Sequence, residues 1–197
     1  MNVNDNINME YEARVMVDEI LFNKIKNFYT SNYPNYRSIS NHNFYYDTKE
    51  LFLTKNHVVL RIRDISNKNY ELTLKVKGHN GDLEINHPLS IDEVNKLKNN
   101  FKIENQAILK ELEKYDFDLS QLELIVDLKT NRIEIEFPEY LLVIDENYYR
   151  NKVDYNLEIE SSSKDKAEKY LLDICHKFNI EYKKDYISKS KRAIYNL

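Results

Sequence analysis

The 197-residue chain has little glycine, proline or cysteine and no tryptophan: 2 Gly, 3 Pro and 1 Cys. Two glycines cannot build a glycine-rich phosphate loop, so P-loop and dinucleotide-fold readings fall away, and no flexible linker is present. One domain over residues 1–197 is the simplest organisation, and it is long enough to bury a core. The single cysteine, Cys175, excludes an internal disulfide and a cysteine metal site. It stands on the apolar face of a helical stretch and reads as a core thiol. No apolar run approaches a membrane span, and the N-terminus is polar without a signal-peptide core. A cytoplasmic protein with no membrane partner is the expectation. A net charge of -4 gives no bulk attraction to nucleic acid or anionic lipid.

What is abundant is charge, 31% of residues, arranged with period two. In Met9 to Val17, Glu10, Glu12 and Arg14 share one strand face and Tyr11, Ala13 and Val15 the other. Alone this stretch decides nothing, but later strands repeat it. Val58 to Asp64 sets Arg61 and Arg63 against Leu60 and Ile62. Glu71 to Lys77 sets Lys75 and Lys77 against Leu72, Leu74 and Val76, and after a turn at Gly78 to Gly81 the returning strand carries Glu84. Gln121 to Asp127 and Asn131 to Phe137 read as a hairpin, with Arg132, Glu134 and Glu136 on one face. Leu141 to Asn147 carries Asp145, and Tyr155 to Ser161 carries Glu158 and Glu160. Adjacent arginines on one face repel, so they need water or an anion.

Between strands, Asp18 is placed to cap a helix running to about Tyr29, and Ser31 to Asn43 reads as a loop before a strand at Phe44 to Thr48. Ser90 and Glu93 have capping-box spacing for a helix to Asn99. A short helix is expected from about Asn105 to Tyr115, and a longer one, capped near Ser163, over Lys164 to Phe178. Tyr186 to Leu197, with Lys189, Lys191 and Arg192, is expected to form a short helix. Met1 to Asn8 is expected to fray.

About eight such strands, mostly antiparallel, predict an α+β fold: a closed eight-stranded barrel with helices packed outside. Either face could point inward. Charges outside and aliphatics inside would be the ordinary small barrel. Amphipathic helices need an apolar surface to cover, which favours a charged lumen. Such a lumen is costly unless it holds water, metal and a polyanion. Clustered Arg and Lys suit phosphate oxygens, and clustered carboxylates suit Mg2+ or Mn2+.

In order, the motifs Glu10-Tyr11-Glu12-Ala13-Arg14, Tyr45-Tyr46-Asp47-Thr48, Leu60-Arg61-Ile62-Arg63, Leu72-Thr73-Leu74-Lys75, Leu83-Glu84, Thr130-Asn131-Arg132, Asp145, Leu157-Glu158-Ile159-Glu160 and Ser188-Lys189 to Arg192 span nearly the whole chain. This ordered set resembles the CYTH family, the triphosphate tunnel metalloenzymes, in its small stand-alone bacterial branch. One departure stands out: the family opens Glu-x-Glu-x-Lys, and here Arg14 replaces the lysine. A guanidinium fork and an ammonium point charge are not equivalent, which bears on turnover more than on binding.

The resemblance implies a Mg2+- or Mn2+-dependent triphosphatase acting on inorganic, nucleoside or thiamine triphosphate. It implies Glu10, Glu12, Glu158 and Glu160 as metal ligands, with Asp145 and Glu84 as nearby candidates. Arg14, Arg61, Arg63, Lys75, Arg132 and Lys189 would grip the triphosphate, with Glu10, Glu12 and Arg14 as the catalytic set. Lys77, Glu134 and Arg192 are looser candidates, and none of the five histidines is assigned a role. A class IV-type adenylyl cyclase and a non-catalytic binder of polyphosphate or of a signalling nucleotide are the alternatives. A homodimer is common in folds of this kind.

Overall fold

The computed structural model of the chain describes residues 5–99, 102–183 and 187–197. Its elements are β1 (Asn6–Glu10), β2 (Glu12–Val17), α1 (Glu19–Asn32), β3 (Arg37–Asp47), α2 (Phe52–Lys55), β4 (Val58–Ile65), β5 (Asn69–Val76), β6 (Asp82–Leu89), α3 (Ile91–Asn99), α4 (Gln106–Leu112), a 3-10 turn (Leu119–Gln121), β7 (Glu123–Glu136), β8 (Tyr140–Tyr149), β9 (Lys152–Ser161), α5 (Lys164–Phe178) and α6 (Lys189–Tyr195).

The nine strands among the described residues join one antiparallel sheet in the order β1-β6-β5-β4-β3-β7-β8-β9-β2. The fold is α+β as expected, but the closed eight-stranded barrel is not what forms. The sheet is open and curls into a half-barrel, with β1 and β2 at its two edges. The physical reason lies at Tyr11. The first strand, expected unbroken, divides there: Asn6 to Glu10 pairs with β6, and Glu12 to Val17 pairs with β9. The edges are therefore linked by the covalent chain rather than by a ladder. The Tyr11 carbonyl accepts from the Ser161 N–H at 3.1 Å. Its ring lies over Gly81, where a Cβ would come within 2.6 Å of the ring and φ is +132°. Only glycine combines that backbone angle with that approach.

Three other expectations are corrected. Ser31 to Asn43 is not a loop: Arg37 onward belongs to β3, paired with β7 from Arg37↔Glu134 to Asp47↔Glu123. Its run of Ser, Asn and His has weak strand preference, and pairing with β7 throughout and with β4 from Asn41 on overrides it. Glu123 to Glu136 is one strand without a turn, because β3 is long enough to pair along nearly all of it. The N-terminal segment is strand from Asn6, held in part by Asp5, which accepts from His87 and from Asn105 at 2.7 and 2.8 Å. The rest of the fraying expected for Met1 to Asn8 falls on residues 1–4, outside the described residues, as does Tyr186.

The caps form where expected. Asp18 accepts from Leu21 N–H, Ser163 from Lys166 N–H, and Ser90 and Glu93 bond reciprocally. The apolar strand faces point outward and meet helices, which decides the choice left open by the pattern. One core joins Val15, Leu142, Ile144, Leu157 and Ile159 to Phe22 and Ile25 of α1 and Leu171, Ile174 and Cys175 of α5. The other joins Leu60, Ile62, Leu72 and Leu74 to Leu53, Ile108 and Leu112 of α2 and α4. Cys175 is a core thiol, its pKa pushed up to about 11 by burial. Each such fully buried aliphatic contributes about 1.5–3 kcal/mol.

Asp47 ties β3 to α2. Its carboxylate accepts from the N–H groups of Thr48, Leu53 and Thr54 at 2.8, 2.8 and 2.9 Å, and it is buried. These bonds hold the turn in which Leu51 sits at φ 58°, a conformation unfavourable for leucine. Asp47→Ala would leave those buried donors unmatched, and is expected to cost about 3 kcal/mol. Urea unfolding checks this, and Asp47→Asn, which keeps two acceptor lone pairs, is expected to lose less.

Candidate active site

With the apolar faces turned to the helices, period two forces the charged faces inward. They enclose a cavity of about 410 Å³. Strand β1 delivers Glu10, and β2 delivers Glu12 and Arg14. Strands β4 and β5 deliver Arg61, Arg63, Lys75 and, just beyond, Lys77. Strands β6, β7 and β9 deliver Glu84, Arg132, Glu134, Glu158 and Glu160, and α6 begins with Lys189 on the same wall. Asp145 does not line the cavity. It lies fully buried behind Arg132, to which it bonds through both oxygens at 2.9 and 2.8 Å. Arg192 does not line it either, and bonds Asp154 at 2.7 Å and Asn156 at 3.2 Å. Asp145 and Arg192 thus fix other groups in place.

The inward charges are paired in blocks. Arg14 bonds Glu158 and, at 2.8 Å, Glu12. Lys189 bonds Asp145 and, at 2.9 Å, Glu158, while Arg132 reaches Glu158 at 3.2 Å. Burial alone would raise the pKa of the Glu158 carboxyl, but Lys189, Arg14 and Arg132 together hold it well below the usual range. Asp145 is lowered by Arg132 and Lys189 against the same burial cost. Nearer the first strands, Lys75 bonds Glu10 and stands 3.8 Å from Glu12 and 3.5 Å from Asp82. Burial opposes its charge, yet Glu12, Glu10, Glu84 and Asp82 hold its pKa above the usual lysine value.

Two groups are poorly matched. Arg63 bonds neutral Asn43 at 2.9 Å and stands 3.9 Å from Glu71. Burial, then Arg61 and Arg132, press its pKa down to about 10. Glu160 meets Arg132 at 4.0 Å. Burial first, then Glu10, push it up to about 7 against the pull of Arg132. One wall therefore carries cation in excess and the other carboxylate in excess. Such strained charge is what a bound anion and a bound cation would relieve.

The carboxylate wall fits a hard divalent cation. Glu10, Glu12, Glu158 and Glu160 offer oxygen donors, and burial, then the nearby Glu10, disfavour the charge on Glu160. Among the described residues, however, no group of three or more His, Cys, Asp or Glu side chains is drawn together as a ready cation site. The cations already hold these carboxylates.

The cavity also takes residues not expected from the sequence. Asn41, Asn43 and Tyr45 of β3 line it, as do Tyr182 and His57. The first three alternate with His42 and Phe44, so period two was a usable signal. The asparagines obscured it by reading as loop. Tyr182 and His57 come from segments between elements, where no periodicity exists to read.

No described helix is long and apolar enough to cross a membrane. A curated protein of Bacillus subtilis (strain 168), the candidate triphosphatase YjbK, is 37% identical over 120 residues. That match covers 61% of each, so the chain spans less than two thirds of this relative's length. A crystal structure of a candidate adenylate cyclase from Bacillus halodurans superposes with a TM-score of 0.83 at 26% identity, covering 94% of this chain and 97% of that one. The Hippeastrum protein HpAC1, a candidate adenylyl cyclase described as revealing a dominant triphosphatase activity, superposes at 0.77 with 18% identity, covering 95% and 96%. The CYTH domain family itself matches residues 8–194, and the chain therefore belongs to the CYTH domain family.

Proposed function

We propose that this protein hydrolyses a triphosphate with the help of a divalent cation, inside the charged cavity. The observation that carries the reading is one cavity of about 410 Å³ lined both by Arg61, Arg63 and Arg132 and by Glu10, Glu12, Glu158 and Glu160. Family membership and the likeness to YjbK support it. Arg61, Arg63 and Arg132 bind phosphate oxygens by charge-assisted hydrogen bonds, joined by Arg14, Lys75 and Lys189. Glu10, Glu12, Glu158 and Glu160 would hold Mg2+ or Mn2+, with Glu84 alongside. Bound there, the ion supplies charge neutralisation of the phosphates and activation of water. Asp145 orients Arg132 and Lys189 from behind. Phosphoryl transfer needs mainly positioning and fixed charge, which such walls supply. Water is the nucleophile, and a phosphoanhydride bond is broken.

Cyclisation of ATP is the second reading, favoured by the 26% identity to the Bacillus halodurans candidate adenylate cyclase. One experiment separates them: release of phosphate from tripolyphosphate and from ATP, with Mg2+, Mn2+ or chelator. Hydrolysis predicts metal-dependent phosphate release, cut at least about 100-fold in a Glu10→Gln, Glu12→Gln double variant. Cyclic AMP with pyrophosphate would replace the hydrolase reading by the cyclase one. Binding without turnover would leave only a binder.

Glu160 gives a prediction that does not depend on turnover. Its folded pKa, about 7, lies above the ordinary carboxyl value of 4.5. Between these values the folded protein keeps a proton that the unfolded chain has lost. The contribution of Glu160 to stability then falls as pH rises from about 4.5 to about 7 and levels off above. Thermal unfolding in chelator checks this. Glu160→Gln, which cannot ionise, is expected to flatten that slope.

A further inference from the structure

Of the four candidate metal carboxylates, Glu10, Glu12 and Glu158 are held by cations and Glu160 stands 4.0 Å from Arg132, whereas Arg63 has no carboxylate closer than Glu71 at 3.9 Å. Arg14 is the clearest block. Its Nε donates to Glu158 on β9, and a terminal nitrogen donates to Glu12 at 2.8 Å, so one buried guanidinium bridges carboxylates of two paired strands. Another nitrogen donates to the Ile187 carbonyl at 3.2 Å, at the approach to α6. Lys189, the first residue of α6, holds Glu158 from the same side at 2.9 Å. Lys75 holds Glu10. Arg63 bonds only a neutral amide closely, at 2.9 Å, with its carboxylate neighbour at 3.9 Å. Beside it, Arg61 keeps one ion pair, to Glu84 at 3.2 Å, and its buried Nε has no partner among the described residues.

We propose that the two ligands bind in order. A triphosphate lands first on Arg61 and Arg63, then draws Arg14, Lys75 and Lys189 off the carboxylates, and this exchange opens the divalent-cation site. The inference rests on the reading of the cavity given above. A cation arriving alone must displace ammonium and guanidinium groups that have nowhere else to put their charge. A polyanion arriving alone meets donors lacking a full charge partner. Once it is bound, the released carboxylates gather on the other wall and attract the metal. Each ligand then strengthens the other by the same factor. Arg14 is a positioning residue here: it decides when Glu12 and Glu158 are available. Its planar fork can bridge two carboxylates through different nitrogens, whereas an ammonium offers a single nitrogen.

The test measures each ligand alone, which avoids the metal–tripolyphosphate complex that forms in solution. Tripolyphosphate in chelator is followed by thermal unfolding. Mn2+ without anion is titrated by loss of the free-ion electron paramagnetic resonance signal. Wild-type protein should be stabilised by tripolyphosphate without metal and should bind Mn2+ alone only weakly. Arg14→Lys, which conserves charge, should bind Mn2+ alone at least tenfold more tightly, an effect that mere loss of packing would not produce. If that variant does not fold, Lys75→Met carries the same expectation through Glu10. Tight Mn2+ binding by the wild type alone, or no gain in the variants, would overturn the ordered exchange and leave the hydrolase reading standing. Binding of neither ligand under any condition would overturn both.

Discussion

Everything in this molecule follows from the decision to turn the charged strand faces inward. Once α1 and α5 cover one half of the sheet and α2, α3 and α4 the other, the aliphatic faces are spent on the helices. The charged faces can then only face one another. Burying so many ionised groups is expensive, and pairing them recovers the cost only in part. Arg14, Arg132, Lys75 and Lys189 each hold more than one carboxylate for this reason. A cluster of this kind is poor evidence for stability and good evidence for a site.

The two mismatched groups, Arg63 and Glu160, mark where compensation stops. They stand on strands separated in the curled sheet by β3, β7 and β8: cation in excess on β4, carboxylate in excess at the end of β9. A cavity balanced throughout would have no reason to bind an ion. Here the uncompensated charges have the signs that a polyanion and a divalent cation would neutralise. Asp145 shows the opposite design. Its carboxylate is wholly committed to Arg132 and Lys189, so it shapes the wall without facing the cavity.

Much of this was legible in the sequence because period two needs no tertiary information. Glu10, Glu12, Arg61, Arg63, Lys75, Glu158 and Glu160 all fall on the face the alternation assigned them. So do the helix caps at Asp18, Ser90 and Ser163, which depend on neighbours three residues away. What failed was long-range or unfavourable locally. Arg37 to Asn43 becomes strand because β7 pairs along all of it and β4 from Asn41 on, not because its Ser and Asn residues prefer to. The break at Tyr11 depends on which strand lies on each side of it, and no local pattern encodes that. It changes an expected closed barrel into an open sheet whose edges are joined by the chain. Asp145, a nearby candidate through the resemblance, lies buried against Arg132, at a depth that a strand pattern does not encode.

The central claim, that the inward carboxylates form a metal site facing a phosphate site, is tested most directly by diffraction. Crystals grown with tripolyphosphate and Mn2+ would be measured at the manganese absorption edge. The charged cavity predicts an anomalous peak within coordinating distance of carboxylates among Glu10, Glu12, Glu158 and Glu160, with phosphate density against Arg61 and Arg63. A manganese peak elsewhere, or phosphate density outside the cavity, would contradict it.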